Sequence, residues 1–179
     1  RFTYKDIKGQ TDEAASYFQS LGIGRGDMVM LILKRRYEFW ISILALHKLC
    51  AVAIPATHLL TDKDIVYRDE RASVKAIICD GEDVILDHIK NALPKSPTVK
   101  VVISVGPNTR EGFHNFHEEW EKAPKFIRPS FRNDNEDTML MYFTSGTSGE
   151  PKMVAHDFTY ALGHLVTGVY WHNLSEDSI

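Results

Sequence analysis

The fold is decided by residues 28–55, which read MVMLILKRRYEFWISILALHKLCAVAIP. The continuous apolar run Met28–Leu33 is typical of a strand that is buried on both faces of a sheet. Tyr37–Cys50 has the length and the apolar spacing of a helix that packs on a sheet, and Val52–Ile54 predicts a short strand that Pro55 ends. A strand, a helix and a strand in this order predict two parallel strands joined by a right-handed crossover.

The same alternation continues on both sides of this segment. Before it, Thr3–Leu21 predicts a helix that Thr3 and Asp6 cap, and after it Thr61 and Asp64 cap the next helix. The other predicted elements are the helices Asp62–Arg71, Glu82–Leu93 and Phe113–Trp120, the strands Val74–Cys79, Lys100–Val105 and Met139–Phe143, and a last helix from about Asp157 to His172. We therefore expect an α/β fold, a mostly parallel sheet flanked by helices.

A polar segment with two prolines, Lys122–Thr138, interrupts the alternation of strands and helices. Its composition predicts a surface connection. It divides the chain into an α/β subdomain at residues 1–121, a connection at 122–138, and a strand, a loop and a helix at 139–172. In a sheet of parallel strands, ligands bind beyond the carboxyl ends of the strands. The loop that follows Met139–Phe143 lies at such a position.

Composition excludes several function classes. The chain has 179 residues, 44% of them hydrophobic, which suits one domain with a substantial core. A net charge of −3 gives no basic face for nucleic acid, and no apolar run approaches the roughly 20 residues that span a bilayer.

Cys50 and Cys79 lie in apolar stretches and are interpreted as small buried residues. With neither a signal peptide nor a cysteine framework, we expect a cytoplasmic protein; its oligomeric state cannot be read from these features.

The run Tyr142–Val154, YFTSGTSGEPKMV, is the segment whose composition indicates a binding site. Glycine reaches positive φ without steric cost, so such a loop can wrap a phosphate with backbone N–H groups, hydroxyls and a lysine. The alternative from composition alone is a solvated connection between a strand and a helix. A Walker A loop is excluded, because only two residues separate Gly146 from Gly149 and Pro151 precedes the lysine. The candidate phosphate-binding residues are Thr144, Ser145, Gly146, Thr147, Ser148, Gly149 and Lys152.

This run resembles the signature loop of the adenylate-forming (AMP-binding) superfamily, which includes acyl-CoA synthetases, luciferases and peptide-synthetase adenylation domains. The stretches LGIGRGDMVMLIL and SVKAIICDGED resemble the N-terminal region of the same family, so the resemblance covers nearly the whole chain. The sequence PKMVAH, with His156 four residues after Lys152, is similar to the sequences of the acetyl-CoA and medium-chain acyl-CoA synthetase branch.

The resemblance implies an ATP-dependent ligase that joins a carboxylic acid to AMP and then passes the acyl group to coenzyme A. It implies that Thr144–Gly149 cradle the β- and γ-phosphates, that Lys152 neutralises the leaving pyrophosphate, and that Mg²⁺ bridges phosphate oxygens. Residues of the chain alone do not say whether His156 approaches the substrate or packs locally at the start of a helix. They also do not identify which acid is activated.

Several family motifs that follow the phosphate loop have no counterpart here. The Tyr-Gly-x-Thr-Glu motif, the ribose-binding aspartate, the hinge and the C-terminal domain with its catalytic lysine are all missing from the sequence. We therefore expect the chain to be part of the N-terminal domain of a larger enzyme and to be inactive alone. The alternative is a non-catalytic nucleotide- or phosphate-binding module that keeps only the loop.

Two other groups of residues have weaker claims to a site. His114 and His117 stand at a spacing that a metal site on a helix uses, but no third ligand follows at a recognisable spacing. Lys34, Arg35 and Arg36 form a basic run after the first strand, where a solvated turn is the commoner interpretation. Neither group is included in the predicted site.

Overall fold

The computed structural model describes residues 1–145 and 149–175 of the chain. Two short 3-10 helices, Leu93–Lys95 and Trp120–Lys122, extend α-helices. The remaining elements are, in chain order, α1 (Tyr4–Ser20), β1 (Met28–Ile32), α2 (Glu38–Lys48), β2 (Val52–Pro55), α3 (Asp62–Ala72), β3 (Ala76–Asp80), α4 (Asp83–Ala92), β4 (Val101–Val105), β5 (His114–Asn115), α5 (Phe116–Glu119), β6 (Thr138–Thr144), β7 (Lys152–Asp157) and α6 (Thr159–Tyr170).

The strands form one seven-stranded sheet in the order β5-β4-β3-β1-β2-β6-β7. Among the described residues every neighbouring pair is parallel except β6 and β7. At the centre of the sheet, Met30 of β1 lies opposite Ile54 of β2 and Ile77 of β3. The predicted α/β fold with a mostly parallel sheet flanked by helices is confirmed.

The sheet separates two apolar cores. One core contains residues of α1 and α2, and the other contains residues of α3 and α4. Successive side chains of a strand point to opposite faces, so each central strand supplies both cores. Ile78 belongs to the first core and its neighbour Ile77 to the second, and both are fully buried. This burial explains why the central strands are continuous apolar runs in the sequence.

Capping boxes start α1 and α3, as predicted. The carboxylate of Asp6 accepts a hydrogen bond from the Thr3 N–H at 2.8 Å, and that of Asp64 accepts one from the Thr61 N–H at 2.9 Å. Each threonine hydroxyl in turn accepts from the N–H of its aspartate. These pairs satisfy N–H groups that have no partner within the helix. They fix the first residue of α3, a helix that also contacts the candidate site.

The predicted helix Phe113–Trp120 is wrong in its first part. His114 and Asn115 instead form β5 and pair with β4 at the edge of the sheet. The Asn115 side chain accepts hydrogen bonds from the N–H groups of His117 and Glu118, which starts the helix only at Phe116. An available sheet edge and a local cap therefore override the helical pattern.

The predicted order of strand, loop and helix after residue 139 is also wrong. A seventh strand, Lys152–Asp157, comes between the loop and the helix, and it pairs antiparallel with β6. The free edge of β6 provides backbone partners for this six-residue segment, which the sequence pattern placed in the loop and the approach to the helix. The helix starts at Thr159.

Helix α6 differs from the other long helices, because none of its residues is buried. The apolar side chains of Leu162, Leu165, Val166 and Val169 are all at least half exposed. Within the described ranges, no helix is long and apolar enough to cross a bilayer.

His47 of α2 carries a partly buried imidazole that packs against the last part of the chain. Its ring lies 5.6 Å from that of Phe158, and its Nε2 has no hydrogen-bond partner among the described residues. Burial lowers the pKa of His47 to about 4, although a hydrogen bond to the backbone of Met139 partly offsets the effect. The folded protein therefore keeps this ring neutral at a pH where the unfolded chain, with a histidine pKa of about 6.5, already binds a proton.

The two cores predict a matched pair of stability effects. We expect Ile77→Ala and Ile78→Ala each to lower the free energy of unfolding by about 2–5 kcal/mol, because each leaves a cavity in a different core. Val84→Ala on α4, where the side chain is 68% exposed, serves as the control. Urea denaturation of the three variants measures this, and a near-zero effect for one isoleucine would show that its face of the sheet is not a packed core.

The partly buried His47 predicts a loss of stability on acidification. Because its pKa is lower in the folded state, its contribution is fully present above about pH 6.5 and falls as the pH drops toward 4. His47→Gln keeps a donor for Met139 but has no titrating group. We expect the thermal midpoint of the variant to depend less on pH between 6.5 and 4 than that of the native chain, as measured by calorimetry; parallel curves would contradict this account.

Candidate functional site

The glycine- and hydroxyl-rich loop joins the two antiparallel strands β6 and β7. The last pair of the ladder is Thr144 with Lys152, so the loop closes over residues 145–151. Of the predicted phosphate-binding residues, Thr144, Ser145, Gly149 and Lys152 are described, whereas Gly146, Thr147 and Ser148 lie outside the described residues. The ladder brings the first and the last of the seven candidates side by side.

The described part of the loop leaves its polar groups open to solvent. Thr144, Ser145, Gly149 and Lys152 are all exposed. The contact from the Thr144 hydroxyl to the Lys152 carbonyl is long, at 3.4 Å, and the Lys152 ammonium has no ion-pair partner among the residues that can be described. Gly149 has φ of +116°, a conformation that a side chain would strain. An ammonium and a hydroxyl beside a glycine of this kind suit an anion such as phosphate.

The loop lies at the carboxyl edge of the sheet. It follows the end of β6, and because β6 is parallel to β2, the ends of β1, β3 and β4 lie along the same edge. The chain turns tightly there. A Cβ at Gly81 would approach the carbonyl oxygens of Asn108 and Val105 to 2.9 and 3.0 Å. This is the edge at which open α/β sheets bind their ligands.

The basic run at this edge is held by carboxylates. Arg36 makes a two-pronged ion pair with the buried Asp80, at 2.8 and 2.9 Å, and Lys34 contacts both oxygens of Glu82 at 2.6 Å. Only Arg35 lacks such a pair in the described ranges. Two of the three cations therefore join β1 to β3, a role that their sequence did not reveal because both carboxylates are more than 40 residues away along the chain.

His114 and His117 do not share a ligand position. His114 Nδ1 lies 2.9 Å from Glu119 and His117 Nε2 lies 2.9 Å from the buried Glu38. Residues 1–145 and 149–175 contain no group of three histidine, cysteine or carboxylate side chains able to hold a metal ion. The interpretation of these histidines as satisfied structural side chains accounts for their contacts.

His156 lies on β7, opposite Leu140, and not at the start of a helix. Its ring is 4.1 Å from that of Tyr160 on α6 and 5.7 Å from that of Tyr142 on β6. The imidazole thus joins the hairpin to the helix that follows it. It lies four residues from Lys152 along an extended strand, away from the closing pair of the loop.

Sequence reasoning missed the residues that hold the loop from outside. Tyr67 on α3 donates a hydrogen bond from its hydroxyl to the carbonyl of Pro151 at 2.8 Å. The guanidinium of Arg68 lies 5.1 Å from the centre of the Phe143 ring. Both helical residues are more than 70 positions from the loop, and nothing in their local sequence points to it. Cavities of about 600 Å³ lie elsewhere, along α1, the end of α2 and the irregular connection.

The structure defines an open α/β domain with a glycine- and hydroxyl-rich loop at the carboxyl edge of its sheet. The sequence model of the family described as "AMP-binding enzyme" matches residues 1–178, and the chain belongs to that family.

Its relatives include mammalian acyl-coenzyme A synthetases. The chain is 34% identical to acyl-coenzyme A synthetase ACSM5, mitochondrial, of Rattus norvegicus, with all of this chain and 31% of the relative aligned. It is 32% identical to ACSM3 of Pongo abelii, over all of this chain and 30% of that protein. The chain therefore spans about a third of the length of these relatives.

The crystal structure of the anthranilate CoA ligase AuaEII in complex with anthranoyl-AMP superposes with a TM-score of 0.86. The superposition covers 94% of this chain and 32% of the other, at 22% sequence identity. At this identity the likeness shows a shared fold.

The expected cytoplasmic location is wrong. The relatives from Rattus norvegicus, Pongo abelii and Homo sapiens are described as mitochondrial, which points to the mitochondrion. Targeting segments are separable from the domains that they deliver, so charge, cysteine content and hydropathy of a domain do not report its compartment.

The surroundings of His156 predict different effects for two substitutions. We expect His156→Phe to keep the ring contacts with Tyr142 and Tyr160 and to leave the thermal midpoint nearly unchanged. His156→Ala removes both contacts and should cost about 0.5–1.5 kcal/mol of unfolding free energy. Equal destabilisation of the two variants, measured by thermal denaturation, would show that a polar contact of the imidazole, and not its ring packing, matters.

Proposed function

We propose that the complete protein is an ATP-dependent acid–thiol ligase of the acyl-CoA synthetase type. It would activate a carboxylic acid as an acyl-adenylate with release of pyrophosphate, and then transfer the acyl group to coenzyme A. One observation carries this proposal. Thr144 and Lys152 form the exposed pair that closes the loop at the carboxyl edge of the sheet, in a chain of the AMP-binding enzyme family. The names of its relatives, acyl-coenzyme A synthetases, support the choice of acceptor.

The loop would bind the triphosphate of ATP. A carboxylate that attacks the α-phosphate meets several negative charges, so donors and a positive charge must screen them. We assign Thr144–Gly149 to the β- and γ-phosphates and the Lys152 ammonium to the leaving pyrophosphate. The Lys152 ammonium, which has no ion-pair partner among the described residues, and the positive φ of Gly149 support this assignment. Mg²⁺ would supply additional charge neutralisation when bound; Thr144 and Ser145 are described loop residues whose hydroxyl oxygens suit its preference for oxygen ligands.

The chain would supply only part of the ligase. In this proposal, residues 1–121 form the α/β subdomain, 122–138 the connection, and 139–172 the β6–β7 hairpin with its loop and α6, which carry the phosphate site. The adenine pocket, the acyl pocket and the catalytic lysine of the C-terminal domain belong to the rest of the protein. Residues 1–179 alone would therefore bind ATP weakly and would not form the adenylate, because most of the ligand surface would remain uncovered. We also keep His156 as a candidate substrate-proximal residue, although it lies four residues along β7 from the closing pair of the loop.

The proposal predicts the effect of removing the loop lysine from the complete protein. We expect Lys152→Ala to lower acid-dependent exchange of labelled pyrophosphate into ATP by about 10- to 100-fold, because a charge-assisted contact to the leaving group is lost. Lys90→Ala, which removes an exposed lysine of α4, should leave exchange unchanged. The assay is run with short, medium-chain and aromatic acids.

Two results would argue against the proposal. Undiminished exchange in Lys152→Ala would remove the lysine from the assigned role. No exchange with any acid, in a folded complete protein that binds ATP, would favour a non-catalytic nucleotide-binding module.

A further inference from the structure

Helix α3 contacts β6, which leads into the loop, and the last loop residue before β7. Toward the incoming strand, the Tyr67 ring packs edge-on against Phe143 with centroids 6.3 Å apart, and Arg68 lies over the same ring. Toward the outgoing strand, the Tyr67 hydroxyl donates to the carbonyl of Pro151 at 2.8 Å. Phe143 precedes Thr144 and Pro151 precedes Lys152, so both contacts are one residue from the closing pair of the hairpin.

The tyrosine side chain is itself well supported. It is half buried, and Arg71 places its guanidinium 5.4 Å from the centre of its ring. Arg68, which is 9% exposed, is tied to the helix by a hydrogen bond to the Asp64 carbonyl at 3.0 Å. Asp64 belongs to the capping box that starts α3. The helix start, the two arginines and Tyr67 thus form a continuous support beneath the hairpin.

The hydrogen bond holds a residue that lies just outside the β6–β7 ladder. Proline has no N–H and cannot donate to a ladder, so the Pro151 carbonyl is the backbone group at this position through which a neighbour can hold the chain. Fixing that carbonyl orients the peptide between Pro151 and Lys152. The direction in which the Lys152 side chain leaves the strand follows from that orientation.

We propose that Tyr67 is a positioning residue of the ATP site: its hydroxyl fixes the exit of the phosphate loop and, through Pro151, the place of the Lys152 ammonium. The inference rests on the proposed function of the loop. In this role Tyr67 does not contact the phosphates. It restricts the end of the loop before ATP binds, so that ordering the loop costs less conformational entropy on binding.

The test uses Tyr67→Phe in the complete protein, which removes one oxygen and keeps the ring against Phe143. We expect kcat/KM for ATP in the exchange assay to fall about three- to tenfold, the equivalent of one neutral hydrogen bond. The KM for the carboxylic acid should stay within about twofold of the native value. Tyr17→Phe is the matched control, because it removes the hydroxyl of a buried tyrosine that contacts Glu119 at 3.2 Å and not the loop.

A second measurement does not depend on activity. Amide hydrogen exchange, followed by mass spectrometry, should be faster in a peptide covering residues 149–155 of Tyr67→Phe than in the same peptide of the native protein. In Tyr17→Phe the peptide should exchange its amide hydrogens at the native rate. If the native protein exchanges no pyrophosphate with any acid but the peptide still responds, the ligase proposal fails and the tyrosine contact stands.

Native kinetics and native hydrogen exchange in Tyr67→Phe would overturn the positioning role. So would equal losses in both tyrosine variants, because a general loss of folded protein lowers kcat without a selective change in the KM for ATP.

Discussion

The central strands β3, β1 and β2 are covered on both faces, and the rest of the structure depends on this double burial. Parallel strands can be connected only by crossovers, and the helices in those crossovers are what cover the faces. The requirement explains the continuous apolar strands and the two separate cores. It also explains where polar groups are allowed. Asp80 is buried at the end of β3, and it is there because Arg36 reaches it with two hydrogen bonds. A buried carboxylate without such a partner would be costly.

Burial of both faces leaves the ends of the strands as the accessible part of the sheet. At the carboxyl ends the chain makes close turns, as at Gly81, and salt bridges such as Lys34–Glu82 tie neighbouring strands together. The hydroxyl-glycine loop is at the same edge but in a different setting, because it connects an antiparallel pair and extends from the sheet beside β2. An antiparallel hairpin places its two ends side by side, and this is why Thr144 and Lys152 are neighbours although seven residues lie between them.

The candidate site therefore depends on two levels of support. The hairpin ladder aligns the two ends of the loop, and α3 holds that hairpin through Tyr67 and Arg68. Neither support would suffice to define a phosphate site without the residues of the loop itself. Equally, loop residues of the same composition at an unsupported surface would be a solvated connection. Family membership and the support from α3 are the grounds on which we propose the phosphate-binding interpretation.

The sequence by itself determined the parallel core, the capping of α1 and α3 and the membership of the family, because buried periodicity, capping boxes and a thirteen-residue loop motif are local patterns. Tertiary structure decided what local patterns do not contain. Residues 152–157 became a strand because β6 offered a free edge, and His114–Asn115 became one because β4 did. Tyr67 lies beside the site because the order of the strands brings α3 next to Pro151. The two residues are 84 positions apart in the chain. Such contacts depend on which elements become neighbours, and that is fixed only when the whole sheet is assembled.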